Sequence, residues 1–375
     1  MIDVFAGTGD AVPTALADAL TGLRLVDHHV HGVFREPLSR AEFEAALNEG
    51  TTGPVPSGIS MFDSPVGLAV RRWCAPLLDL PPHASGDDYW EARSALAPDE
   101  LARRLLAEAG VDRWLVDTGH ASDAVTSPDE LAALGGGTAS TIVRLESLVE
   151  SLAHEPGFPD AFRARLAELA PTVVAAKTIA AYRTGLDVDW SRPADAEVAA
   201  RAAAHHGRLN DPVLIAFAAH TAIDMGLPLQ VHTGLGDRDL DLHRADPMLL
   251  LPLLRGRPDA RVLLLHCWPF HRQAGYLAQA FDGVCFDVGL AVTQLGAGSV
   301  GLVRESLELA PYATQLYSSD GFGLPELHLL GSVLWRRSAG LVLGESVRRG
   351  DVTEDDACRI VAMIGAENAA RVYSK

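Results

Sequence analysis

The strongest constraint on this chain's fold is a recurrence of short apolar runs that end in a polar or ionisable residue, separated by longer stretches rich in Ala, Leu, Arg and Glu. Eight such runs stand at 23–31 (LRLVDHHVH), 113–119 (RWLVDTG), 141–147 (TIVRLES), 172–178 (TVVAAKT), 228–234 (PLQVHTG), 261–267 (RVLLLHC), 283–289 (GVCFDVG) and 314–320 (TQLYSSD). Strand-length runs alternating with helix-length stretches are the pattern of βα units. Parallel strands buried on both faces are continuously apolar, and LRLV, LQV and VLLL have that form. The pattern predicts an α/β chain folded as a (β/α)8 TIM barrel. The 375 residues suit one such barrel with additions, since the bare architecture takes ~250.

Between the first and second runs lie roughly eighty residues, far more than one βα connection needs. Residues 35–110 therefore read as a helical insertion. It contains the Gly/Pro-rich loop TTGPVPSG at 51–58 and then helical segments separated by a Pro-Pro break. Because such barrels work at the C-terminal ends of their strands, where this insertion leaves, it is expected to cap the mouth. The segments from Pro325 to Asp351 and from Thr353 to Tyr373 read as C-terminal closing helices, and 1–375 as a single domain.

A formal charge of −18 repels nucleic acid and acidic membrane surfaces, so the expected partner is a small molecule, with self-association into a homo-oligomer left open. Cys74, Cys267, Cys285 and Cys358 show no paired short spacing, which argues against a disulfide framework or a thiolate zinc site. The first residues carry acids where a signal peptide needs a basic start, and no apolar run approaches the ~20 residues that span a bilayer. A cytoplasmic location is the expectation.

His29 and His31 end the first run, and alternate residues of a strand share a face, so their imidazoles point the same way. Such a pair either caps a strand end by hydrogen bonding or binds a metal such as zinc. Ligand-type residues recur at later run ends, His232, His266 and Asp320, and that repetition favours a divalent metal centre, with Asp320 also placed to accept and return a proton as the catalytic acid–base. Lys177 ends the fourth run. It is either a cation paired with an acid such as Glu146, or a carbamylated lysine whose new carboxylate joins two metals. Tyr182 and Arg183 follow it and are expected to contact substrate, Arg183 clamping a carboxylate in preference to Arg144 or Arg272. His120 and Trp268 are candidate walls. His28, His205, His206 and His220 are assigned surface or core roles.

The segments DHHVH (27–31), LVDTG (115–119), KTIAAYRTGL (177–186), QVHTGLGD (230–237), HCWPFHRQAGYLA (266–278), DVGLA (287–291), SSDGFGLPELHLLG (318–331) and MIGAENAARVY (363–373) resemble the amidohydrolase superfamily. Within it the likeness is to the amidohydrolase-2 group, in particular the N-terminal half of FluG-like and nodulin/glutamine-synthetase-like proteins. The resemblance implies metal ligation by His29, His31, His232, His266 and Asp320, with Lys177 on the strand that supplies a bridging carbamylated lysine in binuclear members. It implies zinc or manganese, one ion or two, and hydrolysis of an amide-type C–N bond. Members of the same group that act as non-oxidative decarboxylases supply the alternative.

Overall fold

The computed structural model describes residues 2–51 and 53–374. Seven strands form one sheet: β1 (Leu25–Val30), β2 (Val111–Asp117), β3 (Thr138–Arg144), β4 (Val173–Thr178), β5 (Leu229–Thr233), β6 (Val262–His266) and β7 (Val284–Phe286). Each is parallel to the next, in sequence order. Helices follow the strands, as connections between adjacent parallel strands require.

The eighth run is not a strand. Residues 315–320 bridge the sheet's two edges irregularly: Leu316 donates its N–H to the Phe286 carbonyl at 3.0 Å, and Tyr317 accepts from the His28 N–H at 3.2 Å. The Tyr317 N–H turns instead to Ile364, and Asp320 adopts φ +50°, so no continuous ladder can form. Among the described residues the sheet is thus a curled set of seven strands, its edges joined through this segment. Two other boundaries also moved. Strand β3 stops at Arg144, which puts Glu146 in the first turn of the helix Leu145–Leu152, and β7 is three residues long.

Between β1 and β2 the chain forms helices at Arg40–Ala46, Pro65–Ala69, Gly86–Ser94 and Pro98–Ala109, with shorter turns between them. The first is started by a capping box in which Ser39 and Glu42 satisfy each other's backbone N–H. Phe43 packs on Phe62 and Tyr89, with ring centroids 5.6 and 6.2 Å apart. Arg93 and Tyr89 both bond Glu326, at 2.7 and 3.0 Å, which ties the region to the long helix Pro325–Arg349.

Inside the sheet, Val26, Leu115, Ile142, Ala175, Leu263, Cys285 and Leu316 share one buried apolar cluster, closed from below by Ala369, Val372 and Tyr373. Stepping two residues toward the C-terminal strand ends from Val26, Leu115, Ile142, Ala175 and Cys285 reaches His28, Asp117, Arg144, Lys177 and Asp287, all buried. The period of two therefore sets an apolar floor and a polar layer directly above it.

Candidate metal centre

Two local irregularities bring extra histidines into that layer. In β1 the three-residue step from Asp27 to Val30 runs against a two-residue step from Trp114 to Val116. Such a bulge shifts the strand's phase, and it lets His28, His29 and His31 all serve the interior. At the end of β6, His266 has φ +67° and Cys267 +54°, which takes the chain out of extended geometry just where the imidazole turns in.

Asp320 sits at the middle of the group. Its Oδ1 lies 3.2 Å from His29 Nε2 and 3.7 Å from His31 Nε2, and its Oδ2 lies 3.5 Å from His266 Nδ1. The His232 ring centroid is 4.6 Å from that of His266. Lys177 Nζ is 3.1 Å from His29 Nε2. The run ends thus converge as the sequence predicts. Glu146 is not the partner of Lys177: it accepts from Thr178 Oγ1 at 2.6 Å and from the Ile179 N–H at 2.9 Å.

The donor atoms suit a divalent cation. His232 Nε2, His266 Nδ1 and Asp320 Oδ1 are buried with no hydrogen-bond partner, a cost that a cation would relieve. The His29, His31 and Asp320 side chains, with His266 and Asp117, form two overlapping groups able to hold a metal ion. Burial holds the imidazoles of His29, His232 and His266 well below the usual histidine range, and that of His31 down to about 3, so all four offer neutral nitrogens. Burial pushes the Asp320 carboxyl up to about 6 and the Lys177 amine down to about 8.

A buried chain of hydrogen bonds fixes which nitrogen of His29 faces inward. Gln230 Nε2 donates to the His28 carbonyl and to Tyr373 Oη, both at 2.8 Å, so its Oε1 is the acceptor for His29 Nδ1–H at 2.8 Å. The lone pair of His29 Nε2 then faces the centre of the group, where it accepts from Lys177 Nζ at 3.1 Å. Tyr373 Oη contacts His28 Nδ1 at 2.9 Å, His28 Nε2 contacts Asp287 Oδ2 at 2.9 Å, and Asp287 Oδ1 accepts the His266 backbone N–H at 3.0 Å. His31 is oriented in the same sense, its Nδ1 bonded to the Asp117 carbonyl at 3.0 Å. Such partners tune ligand basicity and orientation. Tyr373→Phe should therefore weaken zinc binding about tenfold or more, read by chelator competition, at a stability cost of about 1–3 kcal/mol. Unchanged zinc affinity would remove Tyr373 from this role.

Above the group lies a cavity of about 410 Å³, lined by these residues with Lys177, Tyr182, Arg183, His120 and Phe322. The Tyr182 ring lies tilted against that of His232 with centroids 4.6 Å apart, and its hydroxyl accepts the Asp237 N–H at 3.3 Å. Arg144 lines the cavity too, but its guanidinium is held by Asp117 at 2.6 Å. Arg272 is spent outside, on Glu305 and Glu308, and Trp268 packs against the apolar core. Buried His220 bonds the Trp190 carbonyl, a core role. Sequence reasoning missed Asp117, Glu49, Asp237 and Gln230. Asp117 carried the signal used elsewhere, an acid ending an apolar run. Glu49 and Asp237 lie on connections whose path no periodicity reveals.

Residues 203–375 match the family model described as amidohydrolase. Over that stretch, somewhat less than half of the chain, the sequence is similar to the amidohydrolases. The chain is 26% identical to Protein fluG of Emericella nidulans over 93% of its own length and 45% of that protein's, so it spans less than half of the curated protein it matches. In fold it is similar to a protein from Lactobacillus casei ATCC 334 described as a metal-dependent hydrolase, with TM-score 0.83 and 24% identity over 96% of this chain and 97% of that one. It is also similar to a uronate isomerase from Thermotoga maritima, with TM-score 0.63 and 14% identity over 99% and 100% of the two chains. Among the described residues no helix is long and apolar enough to cross a membrane.

Proposed function

We propose that the protein is a metal-dependent hydrolase cleaving an amide-type C–N bond of a small, carboxylate-bearing substrate. The observation that carries this reading is the Asp320 carboxylate, set among three imidazoles with one oxygen unpartnered at the floor of a substrate-sized cavity. His29, His31, His232, His266 and Asp320 would hold zinc or manganese, and Lys177, if carbamylated, would add an anion for a second ion. A divalent ion bound there supplies Lewis acidity, polarising a carbonyl and acidifying water. Asp320 would take a proton from water as the water oxygen bonds to the amide carbon, and would return it to the nitrogen as the C–N bond breaks, leaving a carboxylic acid and an amine. Arg183, with two free guanidinium nitrogens at the cavity wall, fixes the substrate's carboxylate.

Protein loaded with Zn²⁺ or Mn²⁺ should release free amine from a panel of N-acylated amino acids, in proportion to metal content per chain. Carbon dioxide release from aromatic carboxylic acids by the same preparation, without amine release from any amide, would replace the hydrolase by the decarboxylase reading.

A further inference from the structure

The outer wall of the cavity carries acids with no cation paired to them and a guanidinium with free donors. Glu49, from the connection between β1 and β2, lines this wall, and among the described residues its carboxylate makes no hydrogen bond or ion pair. Burial, and after it the negative charges of Asp320 and Asp237, push its carboxyl up to about 8. Asp237, on the loop after β5, also lines the cavity; one of its oxygens accepts the Asp239 N–H at 2.8 Å, and no cation is paired with it. Neighbouring half-buried carboxylates without a counter-charge are unfavourable until a cationic group arrives.

Arg183 makes the complementary case independently. Its side chain is only 10% exposed, yet Nε and Nη1 have no partner, and Nη2 lies 3.6 Å from Glu150 Oε1. That Glu150 oxygen is already engaged by the Leu209 N–H at 2.6 Å. A buried guanidinium with two free donors in a fixed fork is built to receive a carboxylate.

We propose that the cavity recognises a zwitterionic amide, one bearing a free ammonium as well as a free carboxylate, with Glu49 and Asp237 holding the ammonium and Arg183 the carboxylate. This rests on the hydrolase reading and narrows its substrate class. An amide lacking the ammonium leaves the two acids unpaired, and one lacking the carboxylate leaves the guanidinium unpaired, so each loses affinity.

Calorimetry on the zinc-loaded protein tests this with a hydrolysis-resistant probe, L-alanyl-L-alanine methylated at its peptide nitrogen. Its N-acetyl and C-terminal amide derivatives serve as singly charged controls. The zwitterion should bind at least about tenfold more tightly than either control, the usual scale for a lost charge-assisted hydrogen bond. Glu49→Gln should abolish the preference over the N-acetyl control and keep the preference over the C-terminal amide. Arg183→Met should do the reverse. Equal binding of all three probes, or loss of zinc from Glu49→Gln, would overturn the proposal, the latter because Glu49 would then be serving a metal. Preferential binding of the zwitterion with no hydrolysis of any unmethylated amide would instead sink the hydrolase reading and leave zwitterion recognition standing. Fast hydrolysis of amides regardless of their ammonium would do the opposite.

Discussion

Asp320→Asn is expected to leave the fold intact and to cut kcat by 10²–10⁴-fold or more, the range of positioned acid–base catalysis. The fold should survive because what Asp320 gives the backbone comes from its own N–H, bonded to the His29 carbonyl at 3.2 Å and Ser318 Oγ at 3.2 Å, and an asparagine keeps both. The rate should not survive. An amide oxygen can still approach a cation but cannot accept a proton from water and return it to a leaving nitrogen. The Asp320 Oδ1 oxygen is buried without a hydrogen-bond partner, so the substitution breaks no internal hydrogen bond there, and metal content is read beside kcat because the same carboxylate would hold the ion. Melting temperature, metal per chain and kcat measured on the same preparations decide the matter. A variant that keeps its metal and turns over within a few-fold of the parent would take Asp320 out of the chemistry.

The ends of the strands were readable in the sequence because polar residues capping buried runs violate the apolar rule that the rest of each run obeys. That logic located His232, His266, Lys177 and Asp320, and the structure brings them together around one point. It applies equally to Asp117, which ends the second run. The phase of β1 was less legible. Simple alternation aligns His29 with His31 and sends His28 to the other face, yet the bulge between Asp27 and Val30 lets His28 join the polar layer through Tyr373 and Asp287. The eighth run reads as a strand because apolar residues lead to a polar end, and Leu316 and Tyr317 are indeed buried, but burial does not imply a ladder: the Tyr317 N–H is taken by Ile364, and the positive φ of Asp320 ends any extension. Gln230, fully buried in the middle of LQV, was hidden for the opposite reason, since one polar residue within an apolar strand reads as noise until its three hydrogen-bond partners are seen.

Lys177→Ala is expected to remove most of the activity and one of two metal ions, with partial recovery in the presence of a short carboxylate such as acetate or propionate. Lys177 is almost fully buried, lies 3.1 Å from His29 Nε2, and makes no ion pair among the described residues. An ammonium in that position would repel any dication held by the same histidine, so a lysine serving this site must change its charge. Burial already draws its amine down to about 8, which makes the neutral form accessible near neutrality. The neutral nitrogen can add to the carbon of dissolved carbon dioxide and release a proton, and the resulting carbamate is an anion with two oxygens for metal coordination. Removing the side chain takes away that anion, and a small free carboxylate can stand in its place. If Lys177 is instead an unmodified cation that orients His29 or substrate, wild type and variant carry the same single metal and no carboxylate restores the rate. Metal analysis of both proteins, with and without added propionate, together with the mass of the intact Lys177 peptide prepared under bicarbonate, separates the two. One metal in each, with no rescue, would sink the two-metal model and shift the weight toward one-metal chemistry on the same ligand set.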